Sequence, residues 1–389
     1  MAFWARAFQT ARRLAPVLLV ALAMAACGGT SAEFPQSTLH PKSDLTGIID
    51  GVFMNTVWWA LLVFVLVEGA LLYVIFRYRG KAGDGEPSQV HGNTLLEIIW
   101  TVIPALILAM ISVPTVRAIF QTYEVPKGDA LVVEVIGHQW WWEFRYPQYG
   151  VTTANELHVP VGRTVTLKMK TIDVLHSFWL PQLAAKRDVF PNRTTTIWFR
   201  ADSAGYYSGQ CAEFCGLQHA RMAFHVAAGT PEEFDAYITG LRRTGAPVPA
   251  DTTAPSTPST ASRAMTTTSL AAQQPPLRED SAPIAATQDT SAASAPDAVA
   301  QGAEIFRTRG GCIGCHTLDA TSRATMVGPN LANIGSRRYI GAGTLLNTDE
   351  NLARWIQNPQ LIKPGILMQN MGLTLEQSRA VAAYLRTHK

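Results

Sequence analysis

Two apolar runs near the start of the chain restrict its fold more than any other feature. The first covers residues 52–76 and the second residues 95–120. At about 1.5 Å per residue, each exceeds the roughly 20 residues that span a hydrocarbon core of about 30 Å. The loop between them carries Arg77, Arg79 and Lys81, and the positive-inside bias places such a loop in the cytoplasm. We therefore expect residues 27–120 to contain a two-helix transmembrane hairpin whose ends both lie outside the cytoplasm.

The first 26 residues have the layout of an export signal. Three arginines precede an apolar run at 14–26, which is too short for a stable span and ends at Cys27. The ending "MAAC" resembles a bacterial lipobox, in which the cysteine is lipidated and becomes the mature N-terminus. The alternative is an ordinary signal peptide with a chance cysteine. We expect residues 1–26 to be a lipoprotein-type signal peptide and Cys27 to be lipidated.

Residues 121–244 show a β-pattern. Segments such as "LVVEVIG" and "TVTLKMK" alternate or run apolar, and Pro, Gly and Asn separate them. Many short strands without a long helical period are typical of a β-sandwich or barrel. A short helix is expected at 231–241, with Thr230 as its N-cap and Glu233 completing a capping box.

Residues 245–296 are rich in Ala, Pro, Ser and Thr, which predicts a flexible linker. A flexible chain of this length has a root-mean-square reach of about 40 Å. We expect this reach to let the segment at 297–389, which is helical in pattern, move without a tight interface to the β-domain.

The segment "CAEFCGLQHARM" brings several metal donors together. Cys211, Cys215, His219 and Met222 lie in it, and "HSFWLP" adds His176 from upstream. Thiolates and thioethers are soft donors and imidazole is borderline, so the mixture favours copper. A C-x3-C turn can aim both sulfurs at one space, which allows each to bridge two ions. A disulfide or a zinc site remains an alternative, although neither would use the methionine. A mononuclear blue-copper site would need only one of the two cysteines.

A second cysteine cluster, "CIGCH", has the attachment signature of c-type haem. Cys312 and Cys315 would form the two thioether bonds, and His316 would be the proximal iron ligand. A C-x-x-C pair alone also occurs by chance or in redox proteins, but the adjoining histidine favours haem.

Four stretches together resemble cytochrome c oxidase subunit II: "LLEIIWTVIP", "GHQWWW", "LHSFWLP" and "YYSGQCAEFCGLQHARM". This resemblance covers about residues 48–241. Downstream, "GAEIFRTRGGCIGCHTL" and "VGPNLANIGSRR" resemble a class I cytochrome c. The resemblance implies a multidomain fold: a transmembrane α-helical hairpin, an all-β cupredoxin-like sandwich carrying the dicopper centre CuA, and an all-α class I cytochrome c domain.

The resemblance implies six CuA donors: two bridging thiolates, one imidazole for each copper, and two weaker axial donors. In that order they are Cys211 and Cys215, His176 and His219, and Met222 with the backbone carbonyl of Glu213. In the family, the carboxylate of this glutamate also helps to hold a magnesium ion at the boundary with subunit I. Glu213 is therefore expected to serve two metal sites.

The sequence "GHQWWW" contains three consecutive tryptophans. Aromatic clusters usually pack in cores. The resemblance instead makes Trp140 the exposed ring through which electrons reach CuA, in preference to Trp141 or Trp142.

Glu97 lies near the start of the second apolar run, on the cytoplasmic side. An ionisable group there is a functional candidate, and extension of the side chain to the membrane interface is the alternative. The resemblance places Glu97 at the mouth of a proton channel that leads into subunit I.

In the cytochrome c family, a helix with a Gly/aromatic pair crosses the C-terminal helix. Gly302 and Phe306 match that pair, the C-terminal helix is expected at 375–387, and Tyr384 is expected at the crossing. Pro329 matches the proline that supports the proximal histidine.

A methionine from a later loop is expected as the sixth haem ligand, where it raises the potential. Met326 is too near His316 to reach the opposite haem face. Met368 follows "IKPGIL", which resembles the loop before the ligand in oxidase-fused cytochromes, and is preferred over Met371.

The chain is thus expected to be an electron-transfer subunit of a proton-translocating oxidase. Electrons would pass from an external donor, expected to be a cytochrome c, to haem c, then to CuA and then to a haem in subunit I. Oxygen would be reduced to water in subunit I. The expected location is the bacterial inner membrane, in contact with subunit I and other oxidase subunits and with both metal domains outside the cytoplasm.

Other classes of protein fit less well. A net charge of +3 argues against a nucleic-acid partner. A quinol oxidase subunit II would lack the copper donors, all of which are present. A copper-handling or redox-sensing membrane protein would have little reason to carry a covalent haem.

Overall fold

The structure, a computed structural model, describes residues 34–80, 83, 85, 89, 92–126, 128–244, 296–322 and 327–389. The predictions for the signal peptide, for Cys27, for Met326 and for the linker at 245–295 concern residues outside this set.

Two long helices precede the β-domain. They are α1 (Asp44–Arg77) and α2 (Thr94–Tyr123). The Ser43 side chain caps the first turn of α1, and the Asn93 side chain caps that of α2. Both helices are long and apolar enough to cross a membrane, and their most apolar windows are not buried against the rest of the chain. The predicted pair of apolar helices is confirmed, and both helices extend beyond the predicted runs.

In the described part of the chain, ten strands form two five-stranded sheets. In chain order the strands are β1 (Leu131–His138), β2 (Trp141–Tyr146), β3 (Val151–Ala154), β4 (Glu156–Pro160), β5 (Val165–Thr171), β6 (His176–Leu180), β7 (Ala184–Val189), β8 (Thr195–Phe199), β9 (Gly205–Cys211) and β10 (Ala223–Gly229). The sheet orders are β3–β2–β1–β5–β8 and β4–β10–β9–β6–β7. The pairs β1–β5 and β4–β10 are parallel, and the other pairs are antiparallel.

Aromatic side chains from both sheets fill the space between them. Trp142 and Phe144 come from the first sheet, and Phe178 and Phe224 from the second, all fully buried. The rings of Phe178 and Phe224 stack at 4.1 Å between centroids. Burying each ring contributes about 1.5–3 kcal/mol to folding. This two-sheet packing confirms the expected cupredoxin-like sandwich.

Helix α3 (Pro231–Thr244) follows the last strand of the sandwich. The amide of Glu233 donates to the Thr230 hydroxyl at 3.2 Å, and the Thr230 amide donates to the Glu233 carboxylate at 2.8 Å. The predicted capping box is therefore present. The Phe234 ring is buried beside Tyr146 and Tyr149, which fixes the helix on the sandwich.

The C-terminal segment is helical, as predicted. Its elements are α4 (Pro296–Arg307), α5 (Asp349–Gln357), α6 (Pro359–Ile362), α7 (Leu375–Arg386) and a small hairpin of β11 (Tyr339–Ile340) and β12 (Leu345–Leu346). Helices α4 and α7 cross at Gly302, where an added Cβ would lie 1.9 Å from the Ala380 carbonyl oxygen. Only glycine permits this approach. The rings of Phe306 and Tyr384 meet at 5.8 Å beside the crossing.

The C-terminal domain packs directly on the sandwich. The Thr152 amide donates to the Ala320 carbonyl at 2.8 Å, and the Ala223 amide donates to the Ala342 carbonyl at 3.0 Å. We call this contact the interdomain interface. It includes Thr152, Thr153, Glu156, Gln218, Arg221, Ala223 and Tyr237 on the sandwich side, and Ala320, Asn333, Arg338, Ala342, Ile362, Lys363 and Pro364 on the other side.

This interface differs from the expectation of two domains without a tight contact. That expectation rested on the composition and reach of the linker. Linker composition describes how far one domain can travel, but it contains no information on whether two folded surfaces are complementary. Here backbone amides of the sandwich find acceptors on the C-terminal domain, and such pairing requires close docking.

Candidate metal centres

The copper donors lie at one end of the second sheet. His176 is the first residue of β6, Cys211 is the last residue of β9, and the other donors lie in residues 212–222, which we call the copper loop. The Cys211 amide donates to the Met222 carbonyl at 2.9 Å and closes the base of this loop. The Ala212 amide donates to the Ser177 carbonyl at 2.9 Å and joins the loop to β6. Strand pairing therefore brings donors that are distant in sequence into one place.

The six expected donors form two sets, each with one sulfur facing one imidazole nitrogen and one weaker donor. The Cys211 Sγ lies 3.8 Å from His176 Nδ1 and 3.3 Å from the Glu213 carbonyl oxygen, and the Cys215 Sγ lies 3.6 Å from His219 Nδ1 and 3.8 Å from Met222 Sδ. The two sulfurs are 3.7 Å apart. The paired arrangement matches a site for two ions that share two sulfurs.

The donor chemistry fits copper. Cys211 and Cys215 are free thiols in the structure, and their separation of 3.7 Å far exceeds the bond length of a disulfide, about 2.05 Å. Two thiolates, two imidazoles and a thioether form a soft to borderline set, which suits copper, whereas a zinc site would leave the thioether without a role.

The two thiols share one negative charge. Donation from Cys215, together with the contacts to His176 and to backbone groups, lowers the pKa of Cys211 despite burial. The hydrogen bond to Cys211, burial and the charge on Cys211 raise the pKa of Cys215. A metal that binds both sulfurs must therefore displace the proton from Cys215, which makes metal affinity dependent on pH.

Asp173 orients His176. The carboxylate Oδ1 lies 2.8 Å from His176 Nε2, so the opposite nitrogen, Nδ1, faces Cys211. Burial opposes protonation of His176, but the hydrogen bonds to Asp173 and Cys211 outweigh it and raise the pKa of the imidazole. Asp173 also accepts bonds from the Gln139 amide at 2.6 Å and the Thr171 hydroxyl at 3.0 Å. A carboxylate that holds a ligating histidine in this way fixes its orientation.

Trp140 joins the copper loop to the rest of the sandwich. It lies in the turn between β1 and β2, and its indole N–H donates to the Cys215 carbonyl at 3.0 Å. The Gln139 side chain donates to the same carbonyl at 2.7 Å. Gly216 has φ +112°, and a Cβ there would lie 3.0 Å from the Trp140 ring. The glycine therefore permits the indole to lie against the loop.

The neighbouring tryptophans have other positions. Trp141 stacks on His138 with 3.9 Å between ring centroids. Trp142 is fully buried in the core of the sandwich. Of the three rings, Trp140 is thus the one that donates to the copper loop.

The haem-attachment motif forms a short 3₁₀ turn at Cys312–Gly314. Cys312 is half-buried and Cys315 is exposed. His316 Nδ1 lies 2.8 Å from the Pro329 carbonyl oxygen, so Nδ1 carries the proton and Nε2 is left to ligate. Burial lowers the pKa of His316, which keeps the imidazole neutral. Pro329 supports the histidine as the resemblance implied.

A largely apolar cavity opens beside His316. Its walls include Phe306, Cys312, Leu331, Met368 and Leu385 from the C-terminal domain, and Gln139, Trp140 and Trp141 from the sandwich. Apolar walls, a thiol, an imidazole and a thioether match the needs of a haem of the c type. The sandwich therefore supplies part of the wall of a cavity that belongs to the other domain.

The two described methionine candidates differ in position. Met368 is half-buried and lines the cavity together with His316. Met371 is 46 % exposed, and its methyl group lies towards Gly311.

Comparison with known proteins agrees with these sites. The chain matches family models for cytochrome c oxidase subunit II, transmembrane domain, at 33–118, and periplasmic domain, at 151–229. A cytochrome c model matches residues 299–389. Cytochrome c oxidase subunit 2 of Alkalihalophilus pseudofirmus is 34% identical over 98% of both chains, and that of Bacillus subtilis is 31% identical over 95% of both. The chain belongs to the cytochrome c oxidase subunit II family.

A second group of relatives covers less of the chain. Quinol oxidase subunit 2 of Bacillus cereus is 34% identical over 199 residues, which is 48% of this chain and 68% of that one. The near-complete likeness is thus to the cytochrome c oxidase subunits. The predicted combination of a subunit II with a C-terminal cytochrome c domain is confirmed.

Glu97 and the Glu213 carboxylate do not belong to the donor group that the described residues form. Glu97 is in the first turn of α2, with its side chain exposed. Among the described residues, the one group of three or more His, Cys or acidic ligands is His176, Cys211 and Cys215.

Two residues near the centres were not predicted from the sequence. Asp173 had a local signal, since it precedes His176 by three residues. Lys363 had none, because its position depends on how the domains dock.

Proposed function

We propose that this subunit accepts electrons at a covalent haem c from an external cytochrome c and passes them through CuA to the haem of subunit I. The position of Trp140 carries this proposal. Trp140 lines the cavity beside His316, and its indole N–H is bonded to the backbone of the copper-loop residue Cys215. One residue thus borders both candidate centres.

The residues of each centre have separate roles. Cys312 and Cys315 would attach the haem, and His316 and Met368 would hold its iron. The haem would supply a one-electron carrier, and the copper ions would supply a second one. Asp173 holds His176 in its ligating orientation, and Pro329 does the same for His316.

We assign to the copper donors the roles that the resemblance implied. Cys211 and Cys215 would both hold the pair of copper ions, and His176 and His219 would each hold one of them. Met222 and the Glu213 carbonyl would complete the set.

The membrane helices and the loop between them indicate the side of the membrane on which the two metal domains lie. Positive residues between α1 and α2 favour a cytoplasmic loop, so that the sandwich and the cytochrome c domain lie outside the cytoplasm. Lipidation of Cys27 would add an anchor on the same side. Glu97, at the cytoplasmic start of α2, would then lie where protons enter the channel of subunit I.

The proposed partners follow from the same arrangement. The copper end of the sandwich would face subunit I, whose haem receives the electrons and reduces oxygen to water coupled to proton translocation. The Glu213 carboxylate would share a magnesium ion with that subunit.

Flash-reduction kinetics on the purified oxidase complex test the proposal. Electrons should pass from haem c to CuA at a rate that is independent of protein concentration. Trp140→Ala should slow this step by about tenfold or more, which corresponds to about 1.4 kcal/mol in the barrier. Reduction of haem c by the external donor should stay unchanged. Trp141→Ala is the matched control, and slowing by this variant alone would transfer the role to Trp141.

A further inference from the structure

Lys363 is buried between the two metal domains. It follows the short helix α6, precedes Met368 by five residues and is 2 % exposed. A lysine ammonium group is seldom buried, because removing it from water is costly unless all its hydrogen bonds are replaced. Burial accordingly lowers its pKa to about 7.

Three backbone carbonyls surround the Lys363 ammonium group. Those of Trp140, at 3.0 Å, and Arg221, at 2.7 Å, belong to the sandwich. That of Gly341, at 3.1 Å, belongs to the C-terminal domain. An ammonium group has three N–H donors and no acceptor, so these three carbonyls satisfy it completely. A single side chain thus joins the backbones of both domains.

The residues on either side of Lys363 also bind the copper loop. The Gln218 side chain donates to the Pro364 carbonyl at 2.6 Å, and the Arg221 guanidinium donates to the Ile362 carbonyl. Three consecutive residues of the C-terminal domain therefore engage the loop that contains His219 and Met222. The same three residues lead into the segment that contains Met368.

We propose that Lys363 is an interdomain positioning residue that holds the Trp140 turn and the copper loop against the C-terminal domain, so that the haem cavity stays next to Trp140. The inference rests on the proposed function and adds the group that fixes the distance between the centres. A hydrophobic side chain of similar size would fill the space but would remove the donor that the Trp140 and Arg221 carbonyls share. The Gly341 carbonyl would keep its bond from the Thr344 hydroxyl at 2.7 Å. The lysine is therefore required for docking, whereas the copper and haem donors lie elsewhere.

The test uses Lys363→Met in the full chain within its oxidase complex, with Lys170→Met as the matched control. Lys170 is exposed on β5. The first measurement is hydrogen exchange at the amides of Thr152 and Ala223, which donate across the interface. The second is the rate of haem c to CuA transfer after flash reduction. The paramagnetic signal of CuA and the haem absorption spectrum report whether each centre is intact.

Lys363→Met should accelerate amide exchange at Ala223 and slow electron transfer by about tenfold or more, since the bonds from a charged donor to the Trp140 and Arg221 carbonyls of the sandwich are lost. The spectra of both centres and the reduction of haem c by its donor should not change. Lys170→Met should behave as the wild type. Gln218→Ala removes the adjacent bond to Pro364 and should change exchange and transfer in the same direction to a smaller extent, which keeps the test usable if the methionine variant does not fold.

Wild-type exchange and transfer in Lys363→Met would overturn the proposal. Loss of the copper or haem signal would also overturn it, because Lys363 would then serve a single centre. Faster exchange with wild-type transfer would show that docking does not position the centres. Failure of the proposed function looks different, since the wild-type protein itself would show no transfer from haem c to CuA.

Discussion

The copper site and the haem cavity are built in opposite ways. All six copper donors come from one domain, and strand pairing between β6, β9 and β10 gathers them. The haem cavity has its attachment motif and ligands in the C-terminal domain, but Gln139, Trp140 and Trp141 of the sandwich complete its wall. The copper site is therefore contained in one domain, whereas the haem cavity has its attachment motif and ligands in one domain and part of its wall in the other.

The two centres therefore depend on different sets of contacts. The copper loop is fixed by backbone hydrogen bonds at Cys211 and Ala212, which form whenever the sandwich folds. The shared wall of the haem cavity depends on contacts across the interdomain interface, including the buried Lys363. Loss of copper should leave the haem centre intact, and loss of docking should leave both centres intact but uncoupled.

The largest expected effect is that of Cys215→Ser. Removing one bridging sulfur should abolish the paramagnetic signal of an electron shared by two coppers, because a serine hydroxyl is a poor donor for copper. The haem spectrum should not change. Glu213→Gln is the control: its expected copper donor is the backbone carbonyl, so the signal should remain. A single-copper spectrum in the native protein, or loss of haem in Cys215→Ser, would contradict this account.

The next effect concerns the haem ligand. Met368→Ala should lower the haem potential and remove the sulfur-to-iron absorption band, since a methionine ligand raises the potential. Met371→Ala should leave both unchanged, because Met371 is exposed and Met368 lines the cavity. Potentiometric titration with optical detection measures both properties. The reverse result would make Met371 the ligand, and a change in the CuA signal would break the separation of the two centres.

Much of each centre could be predicted because its donors are close together in the sequence. Four of the five side-chain copper donors lie within Cys211–Met222, and the haem-attachment motif lies within the five consecutive positions Cys312–His316. Short spacing fixes geometry through local backbone structure alone. The chemistry of soft donors then selects the metal without knowledge of the fold.

The interdomain contacts could not be predicted in this way. Lys363 lies 223 positions from Trp140 and 142 from Arg221 in the sequence. A lysine in a loop is usually solvated, and nothing in its neighbours indicates that three carbonyls from two domains surround it. The contact of Asp173 could be predicted only in part. Its partner His176 is near in sequence, but the bond depends on the turn between β5 and β6.

The smallest expected effect concerns Glu156, which belongs to the interdomain interface. It is buried at the start of β4, where it contacts His158 at 2.9 Å and accepts bonds from the Tyr206 hydroxyl at 2.8 Å and the Arg338 amide at 3.3 Å. Burial alone would raise the pKa of this carboxyl. The hydrogen bonds from His158, Tyr206 and Arg338 outweigh burial and hold the pKa below its usual value of 4.5.

The folded protein thus binds the Glu156 proton more weakly than the unfolded protein does, so the carboxylate contributes stability that is complete above pH 4.5 and is lost as the pH falls through the lowered pKa. Glu156→Gln should lower the free energy of unfolding near neutral pH by about 1 kcal/mol, which shifts the thermal midpoint by about 2–4 °C. This deficit should shrink as the pH falls below 4.5, because the wild type then loses the same charge. Thermal unfolding followed by tryptophan fluorescence between neutral and acid pH measures this deficit. Asp235→Asn is the control, because Asp235 is exposed. A deficit that stays constant with pH would show that shape, and not charge, is what Glu156 contributes at the interface.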